Sequence, residues 1–292
     1  MNQKKRFVVI GSSDSKYGDF LINHWLKSLK DNLNTKIIEI VILDYGLTEK
    51  QKKELTLQNV KVIACKRDGH ILNIRYRDML SFLNKNKYEQ VMACDSGDII
   101  FQKDITHLFN ENKTEFRGVC EDLAPPMLEY TLINKLFIEK IEKDIKKVLK
   151  NKKMINGGMI ISPNNKFKEL CKNMDRFIAK KDSFGPDQII VNYTLYKNGF
   201  HQLDKKYNYV IGSLNEKFII KEGKFYKKNK ELIPIVHNAG RYAFLRPIKN
   251  FGYGRNNNKF SYISYYTLRF LCNMAFILNF FNSFLRKLKS KN

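Results

Sequence analysis

At 292 residues and 43% hydrophobic content, the chain can build one large core or two smaller ones and needs no cross-links to hold them. Its five cysteines (Cys65, Cys94, Cys120, Cys171, Cys272) form no CxxC pair and no zinc spacing, which excludes a disulfide scaffold or zinc finger and predicts reduced thiols. The net charge of +24 calls for an anionic partner, whether nucleic acid, an anionic membrane or a phosphorylated substrate.

The basic residues are spread along the whole chain, without a zinc finger, an aromatic-basic RNA signature or a Gly-rich basic tail, so nucleic-acid binding is the poorer of these readings. Met1–Arg6 is basic, but it runs directly into FVVIGSSD with no small-residue cleavage site, and the expected location is the cytoplasm.

In chain order, Phe7–Gly11 predicts a buried first strand followed by the polar loop SSDSKYGD. Phe20–Leu33 carries Phe20, Leu21, Trp25, Leu26 and Leu29 at helical spacing. Ile37–Asp44 and Val60–Cys65 predict two more strands, with a polar helix from Thr48 between them. Ile71–Leu83 predicts a helix that bears Arg75, Tyr76 and Arg77. Strands alternating with helices over the first hundred residues predict a mostly parallel α/β sheet.

The helix leads into VMACDSGDIIF, Val91–Phe101, where one apolar run ends on Asp95 and Asp98 and a second follows at once. In an open α/β sheet this delivers two carboxylates to the carboxyl edge, where ligands bind and where hard cations find oxygen donors. The same residues also make an ordinary strand-end turn.

Further on, Arg117–Asp122 predicts a short strand, and Pro125 a break. The segment from about Met127 to Lys150 predicts one long amphipathic helix. Met154–Ser162 reads as a strand with Gly157 and Gly158 inside it, a sign of close approach by a backbone or ligand. Phe184–Gly199 reads as a helix entered through turn residues, and Leu232–Arg241 as a strand ending on His237. The final segment, from Ser261, gathers Tyr262, Tyr265, Tyr266, Phe270, Phe276, Phe280, Phe281 and Phe284 and closes on RKLKSKN. Its apolar stretch falls short of the ~20 residues that span a bilayer. A basic aromatic helix of this kind lies in the membrane interface, or docks on the domain or on a second subunit.

Polar residues thus recur at the ends of apolar runs: Asp14 and Tyr17, Asp95 and Asp98, Asn156-Gly157-Gly158, Asp187-Gln188, and His237-Asn238. In order and spacing these resemble the GT-A fold glycosyltransferases, most nearly family 8, over roughly residues 6–255. The resemblance implies a mixed sheet flanked by helices, a nucleotide-sugar donor (a UDP-hexose) and a divalent metal, manganese or magnesium. It places Asp14 and Tyr17 on the base, and Arg75 or Arg77 on phosphate or sugar. Asn156 and Gly157 fall beside the donor sugar, and Asp187 and Gln188 against the transferred hexose. Asp95, Asp98 and His237 become metal ligands; Gly240 with Arg241 or Arg246 would handle the diphosphate.

Two departures stand out. The metal motif is DSGD where family 8 has DxD, and the segment after Gly240 is altered, with Arg246-Pro247 following five residues after Arg241. The implied organisation is a glycosyltransferase domain over 1–258 and a basic aromatic membrane-association segment over 259–292, peripheral on the inner face of the cytoplasmic membrane. The expected reaction is hexose transfer, with retention, to a surface-glycan, lipooligosaccharide or lipid-linked acceptor. A basic nucleic-acid-binding protein and a catalytically inactive GT-A scaffold are the alternatives.

Overall fold

Strand β1 (Phe7–Ser13) shows why the sheet is buried on both sides: Phe7 and Val9 enter one apolar cluster, Val8 and Ile10 the other, and all four are inaccessible to solvent. Side chains alternate across a strand, so a continuous apolar run requires cover on both faces. The computed structural model describes residues 5–123 and 127–289, with 276–289 as backbone only.

After β1, Asp14 caps helix α1 (Ser15–Phe20), which continues through a π-helical stretch at Leu21–Leu26 into α2 (Lys27–Asn32). Then come β2 (Ile38–Asp44), α3 (Glu49–Leu57), β3 (Lys61–Ala64) and α4 (Ile71–Lys85). A Thr48/Gln51 capping box starts α3. Strands β4 (Gln90–Cys94) and β5 (Ile99–Phe101) enclose the acidic turn, and β6 (Phe116–Gly118) follows. Helices α5 (Met127–Ile133) and α6 (Glu139–Leu149) lead to β7 (Met159–Pro163), α7 (Asn164–Phe177), α8 (Pro186–Asn198) and β8 (Phe200–Gln202). The rest comprises β9 (Tyr209–Val210), β10 (Phe218–Lys221), β11 (Lys224–Lys227), β12 (Ile235–His237), β13 (Ile248–Lys249), β14 (Lys259–Phe260) and α9 (Tyr262–Lys289).

The main sheet has the order β3-β2-β1-β4-β7-β6-β8. Its first four strands are parallel, as the alternating pattern predicts, but β7 runs antiparallel to both β4 and β6, so the sheet is mixed. A small sheet, β5-β12-β9, stands beside it. The DSGD turn is the joint between the two.

Two expectations change. The helix expected over 127–150 is two helices, because Lys135 takes φ 50° and Leu136 and Phe137 turn inward. Phe137 bridges Ile178, and the Leu136 carbonyl accepts from Ala179 N (2.9 Å), so burial of that apolar pair outweighs helix continuity. Gly157 and Gly158 lie in a turn ahead of β7, not inside a strand. The break at Pro125 lies outside the described residues.

The aromatic C-terminal segment is helical from Tyr262, and its first turns pack on the domain. Ser264 and Cys272 are buried, and the Arg269 side chain donates to the Gly212 and Leu214 carbonyls (3.5 and 3.4 Å). The other side of this stretch leaves Tyr262, Ile263, Tyr266 and Phe270 exposed. The side chains of Phe276, Phe280, Phe281, Phe284 and the closing RKLKSKN lie outside the described residues. Among the described residues, no helix is long and apolar enough to cross a membrane.

Candidate functional site

The turn between β4 and β5 is stitched on all sides. Asp95 N donates to Gly158 O (2.7 Å), Ser96 Oγ to Ser12 O (2.8 Å), and Asn238 N to Asp98 O (2.9 Å). These bonds bring Asp95, Asp98 and His237 together, with one donor atom of each within 4.8 Å of the others. His237 Nε2 stands 3.3 Å from Asp98 Oδ1, and Nδ1 is 3.0 Å from Asn208 Oδ1.

The orientation of that imidazole follows from a buried amide chain. Glu121 Oε1 accepts from Asn156 Nδ2 (2.6 Å), and Asn156 Oδ1 accepts from Asn208 Nδ2 (2.9 Å) and from Gly158 N (2.9 Å). Asn208 therefore presents its oxygen to His237, Nδ1 carries a proton, and Nε2 is the ring nitrogen turned toward the carboxylates. Backing a ring nitrogen in this way is how proteins prepare a histidine for a metal.

Burial works against charge on His237, but the Asp98 carboxylate outweighs it and holds the imidazole above its usual pKa. Burial also works against the Asp98 charge, and His237 and Arg246 outweigh it, keeping that carboxyl low. A mixed carboxylate-imidazole set suits a divalent ion such as manganese. The space agrees: a Cβ on Gly158 would lie 2.5 Å from His237 Cε1, 2.8 Å from Asn156 Oδ1 and 2.9 Å from Asp95 Oδ2. The residues fit a metal.

Helix α4 carries Arg75 and Arg77 two positions apart, hence on opposing faces. Arg75 points inward, 4% exposed, with Nη1 2.6 Å from Asp95 Oδ1 and Nη2 3.8 Å from Asp187 Oδ2. Arg77 instead pairs with Asp68 (2.7 Å) and Asp78 (3.0 Å), away from this cluster. Asp187 opens α8 after Gly185, whose φ of 103° suits glycine, and Pro186. It is 5% exposed, its Oδ1 has no hydrogen-bond partner among the described residues, and burial pushes its pKa up to about 6 against the pull of Arg75. Gln188 spends its amide on the neighbouring turn, accepting from Gly157 N (3.0 Å) and donating to Ile155 O.

Asp14 accepts from Lys16 N (3.1 Å) and pairs with Arg67 (3.0 Å). The Tyr17 ring lies against Gly97, where a Cβ would come within 2.9 Å, and the Arg246 guanidinium sits 5.7 Å from the ring centroid. Arg246 donates to Asp98 Oδ2 (3.0 Å) and to Gly240 O (3.3 Å). Arg241 stands apart, stacked on Phe184 and Tyr242. Sequence reasoning missed Glu121, Asn208 and Arg67. Glu121 had the same strand-end signal as Asp95, whereas an isolated loop asparagine such as Asn208 carries none.

No protein-family model matches the chain, and no curated protein does. Solved structures are similar. A bifunctional glycosyltransferase, WbbM, is 17% identical with a TM-score of 0.54, over 82% of this chain and 47% of that one. The glycosyltransferase GlyE of Streptococcus pneumoniae TIGR4 is 16% identical with a TM-score of 0.52, over 96% and 64%. An active-site mutant of LgtC, with glutamate in place of glutamine, is 11% identical with a TM-score of 0.53, over 89% and 94%. The chain spans about half the length of the WbbM structure and under two thirds of the GlyE structure. The fold is the GT-A fold of these glycosyltransferases, as the resemblance in the sequence implies.

Proposed function

We propose that the chain is a metal-dependent glycosyltransferase that moves a hexose from a nucleotide diphosphate sugar, a UDP-hexose, to a glycan or glycolipid acceptor. The observation that carries this is the convergence of Asp95, Asp98 and His237 at the joint of two sheets, with Arg75 and Arg246 beside them. Cations on an acidic cluster in a fold of this kind support a phosphorylated ligand over a nucleic-acid groove or an inert scaffold.

Asp95, Asp98 and His237 are the residues to hold the ion, manganese or magnesium, which when bound supplies positive charge toward the leaving diphosphate. Arg246 offers a planar fork for the same charge, and its position over Tyr17 ties phosphate to base: the ring is the stacking surface for uracil, beside Asp14. Arg75, buried between two carboxylates, holds Asp95 and Asp187 in register. The unpartnered Asp187 Oδ1 is an acceptor for a sugar hydroxyl, since a buried oxygen without a partner is costly until a ligand satisfies it. Gln188 and Asn156 fix the 156–158 turn that forms the floor of the sugar site.

The proposed course is retention, which needs no strong base at the acceptor; were configuration inverted, Asp187 would be the base. The basic aromatic start of α9 and the cationic residues beyond it suit the anionic inner face of the cytoplasmic membrane and a lipooligosaccharide or lipid-linked acceptor there.

A thermal-shift series with nucleoside diphosphates and their sugars, with and without manganese, tests the reading. UDP stabilisation that requires the metal is expected, because a ligand of the native state raises stability by mass action. Indifference to every nucleotide would leave the acidic cluster as a structural turn.

A further inference from the structure

The two arginines that follow His237 have different surroundings. Arg246 is folded inward, bonded to Asp98 and to the Gly240 carbonyl, and Leu245 beside it is buried. Between the ends of that closed loop, Arg241, Tyr242, Ala243 and Phe244 all face solvent. Tyr242 and Phe244 are 49% and 64% exposed, yet their rings stack at 5.7 Å with 17° between planes.

The Arg241 guanidinium continues the stack. It lies 5.2 Å from the Tyr242 ring and 4.6 Å from the ring of Phe184, three residues before Asp187. Phe184 is fixed in turn by the edge of His70, at 5.7 Å, and His70 starts the helix that carries Arg75. The ladder Phe184–Arg241–Tyr242–Phe244 is therefore tethered at one end to the Asp187 side of the site and at the other to the His237 side.

Among the described residues, Arg241 makes no ion pair and no side-chain hydrogen bond. A guanidinium beside two rings and without a hydrogen-bonding side-chain partner keeps its N–H fork available, and that fork matches a carboxylate or phosphate in a bidentate contact. Exposed aromatic surface beside a site marks a place where something binds, and flat rings offer stacking area for the apolar faces of a sugar.

We propose that this ladder is the acceptor subsite and that it takes a saccharide bearing an anionic group, a carboxylate or a phosphate, on the Arg241 edge. Arg241 thus leaves the donor diphosphate to Arg246. The proposal rests on the glycosyltransferase reading above.

The test uses the full chain with manganese and UDP. Saturation-transfer NMR compares glucuronic acid, glucose 6-phosphate and glucose. Wild type is expected to hold at least one of the anionic sugars more tightly than glucose, and the one preferred identifies the anion. Arg241→Ala should weaken that sugar about tenfold, the value of one charge-assisted contact. Arg241→Lys should do nearly the same, since it keeps the charge and loses the fork, and Tyr242→Ala should weaken all three sugars. Lys50→Ala, an exposed cation on α3, controls for general attraction to a basic protein. Equal binding of the three sugars by wild type, or an anion preference that survives Arg241→Ala, overturns the proposal. Loss of the manganese-dependent UDP shift in Arg241→Ala would return Arg241 to the diphosphate and also overturn it. Absence of that shift in wild type would instead bring down the glycosyltransferase reading itself.

Discussion

Replacing Gly158 by alanine tests the metal reading at the point of least room. The added Cβ would meet His237 Cε1 at 2.5 Å, Asn156 Oδ1 at 2.8 Å and Asp95 Oδ2 at 2.9 Å. None of the three is a loose end: Asn208 backs His237, Glu121 and Asn208 hold Asn156, and Arg75 holds Asp95. Shifting the backbone instead would drag Asp95, whose N–H donates to Gly158 O. His237 would have to retreat by roughly 0.9 Å to restore ordinary contact at 3.4 Å. Metal-ligand distances tolerate only about 0.2 Å, so manganese affinity should fall by about 100-fold, as far as a lost supporting contact takes it. Overpacking in a closed site costs about 1–3 kcal/mol, or roughly 2–6 °C in Tm for a chain of this size. Calorimetric titration with manganese chloride and a melting curve read the two effects separately. Gly212→Ala, which crowds Leu268 at 2.5 Å away from the cluster, should lower Tm without changing the affinity. A Gly158→Ala protein that binds manganese like wild type would refute the geometry argued for the trio.

Asp98→Ala should abolish the manganese-dependent UDP shift while the chain still folds; a variant that keeps the shift would remove Asp98 from the metal site. Asp187→Asn, which keeps an accepting Oδ1 but loses the charge, should slow transfer without abolishing it and stabilise the fold at neutral pH. The folded-state pKa near 6 exceeds the ordinary 3.8, so the native state keeps a proton that the unfolded state loses, and stability falls as pH rises from about 4 to about 6. Freed of that loss, the variant should gain up to about 3 kcal/mol at pH 7 and nothing at pH 3.5; urea midpoints that show no pH-dependent gain would contradict this. Deleting 276–292 removes Arg286, Lys287, Lys289 and Lys291, each worth about 1 kcal/mol at an anionic surface. The truncated chain should leave phosphatidylserine vesicles in a flotation assay, and continued co-flotation would exclude the tail as anchor.

Much of this fold was legible because its strands are apolar runs with polar ends. The runs at Phe7, Ile37, Val60 and Val91 needed only cover on both faces, and helices lay between them. Strand direction was not legible: nothing in MIISP distinguishes a β7 antiparallel to β4 from a parallel one, since periodicity is the same either way. The break at Lys135 was equally silent, because it depends on Leu136 and Phe137 finding the 177–179 segment, a tertiary contact. The choice between Arg75 and Arg77 could have been made. Met79 and Phe82 follow Arg75 by four and seven residues, which puts Arg75 on the buried side of α4 and leaves Arg77 outside. The network from Glu121 to Asn208 was invisible, because polar groups joined across 35 and 52 residues share no spacing rule.

The joint between the sheets explains why the acids sit there at all. Asp95 directly follows β4 of the main sheet, Asp98 directly precedes β5 of the small one, and His237 ends β12, which pairs with β5. Two carboxylates so close repel each other, and burial adds to the cost of each charge. Arg75 relieves one from the helix side and Arg246 relieves the other from the loop side, with His237 sharing the load on Asp98. Every one of those partners comes from a different element, so the charge at the joint also holds α4, the β12 strand and the 240–246 loop in place. A cation entering the joint would compete with these ion pairs and free Arg246 to meet an incoming anion. Metal and diphosphate should then bind with positive coupling, each tighter in the presence of the other by the same factor. Paired titrations of manganese at fixed UDP and of UDP at fixed manganese check that equality, and independent binding of the two would show that Arg246 stays with Asp98 throughout.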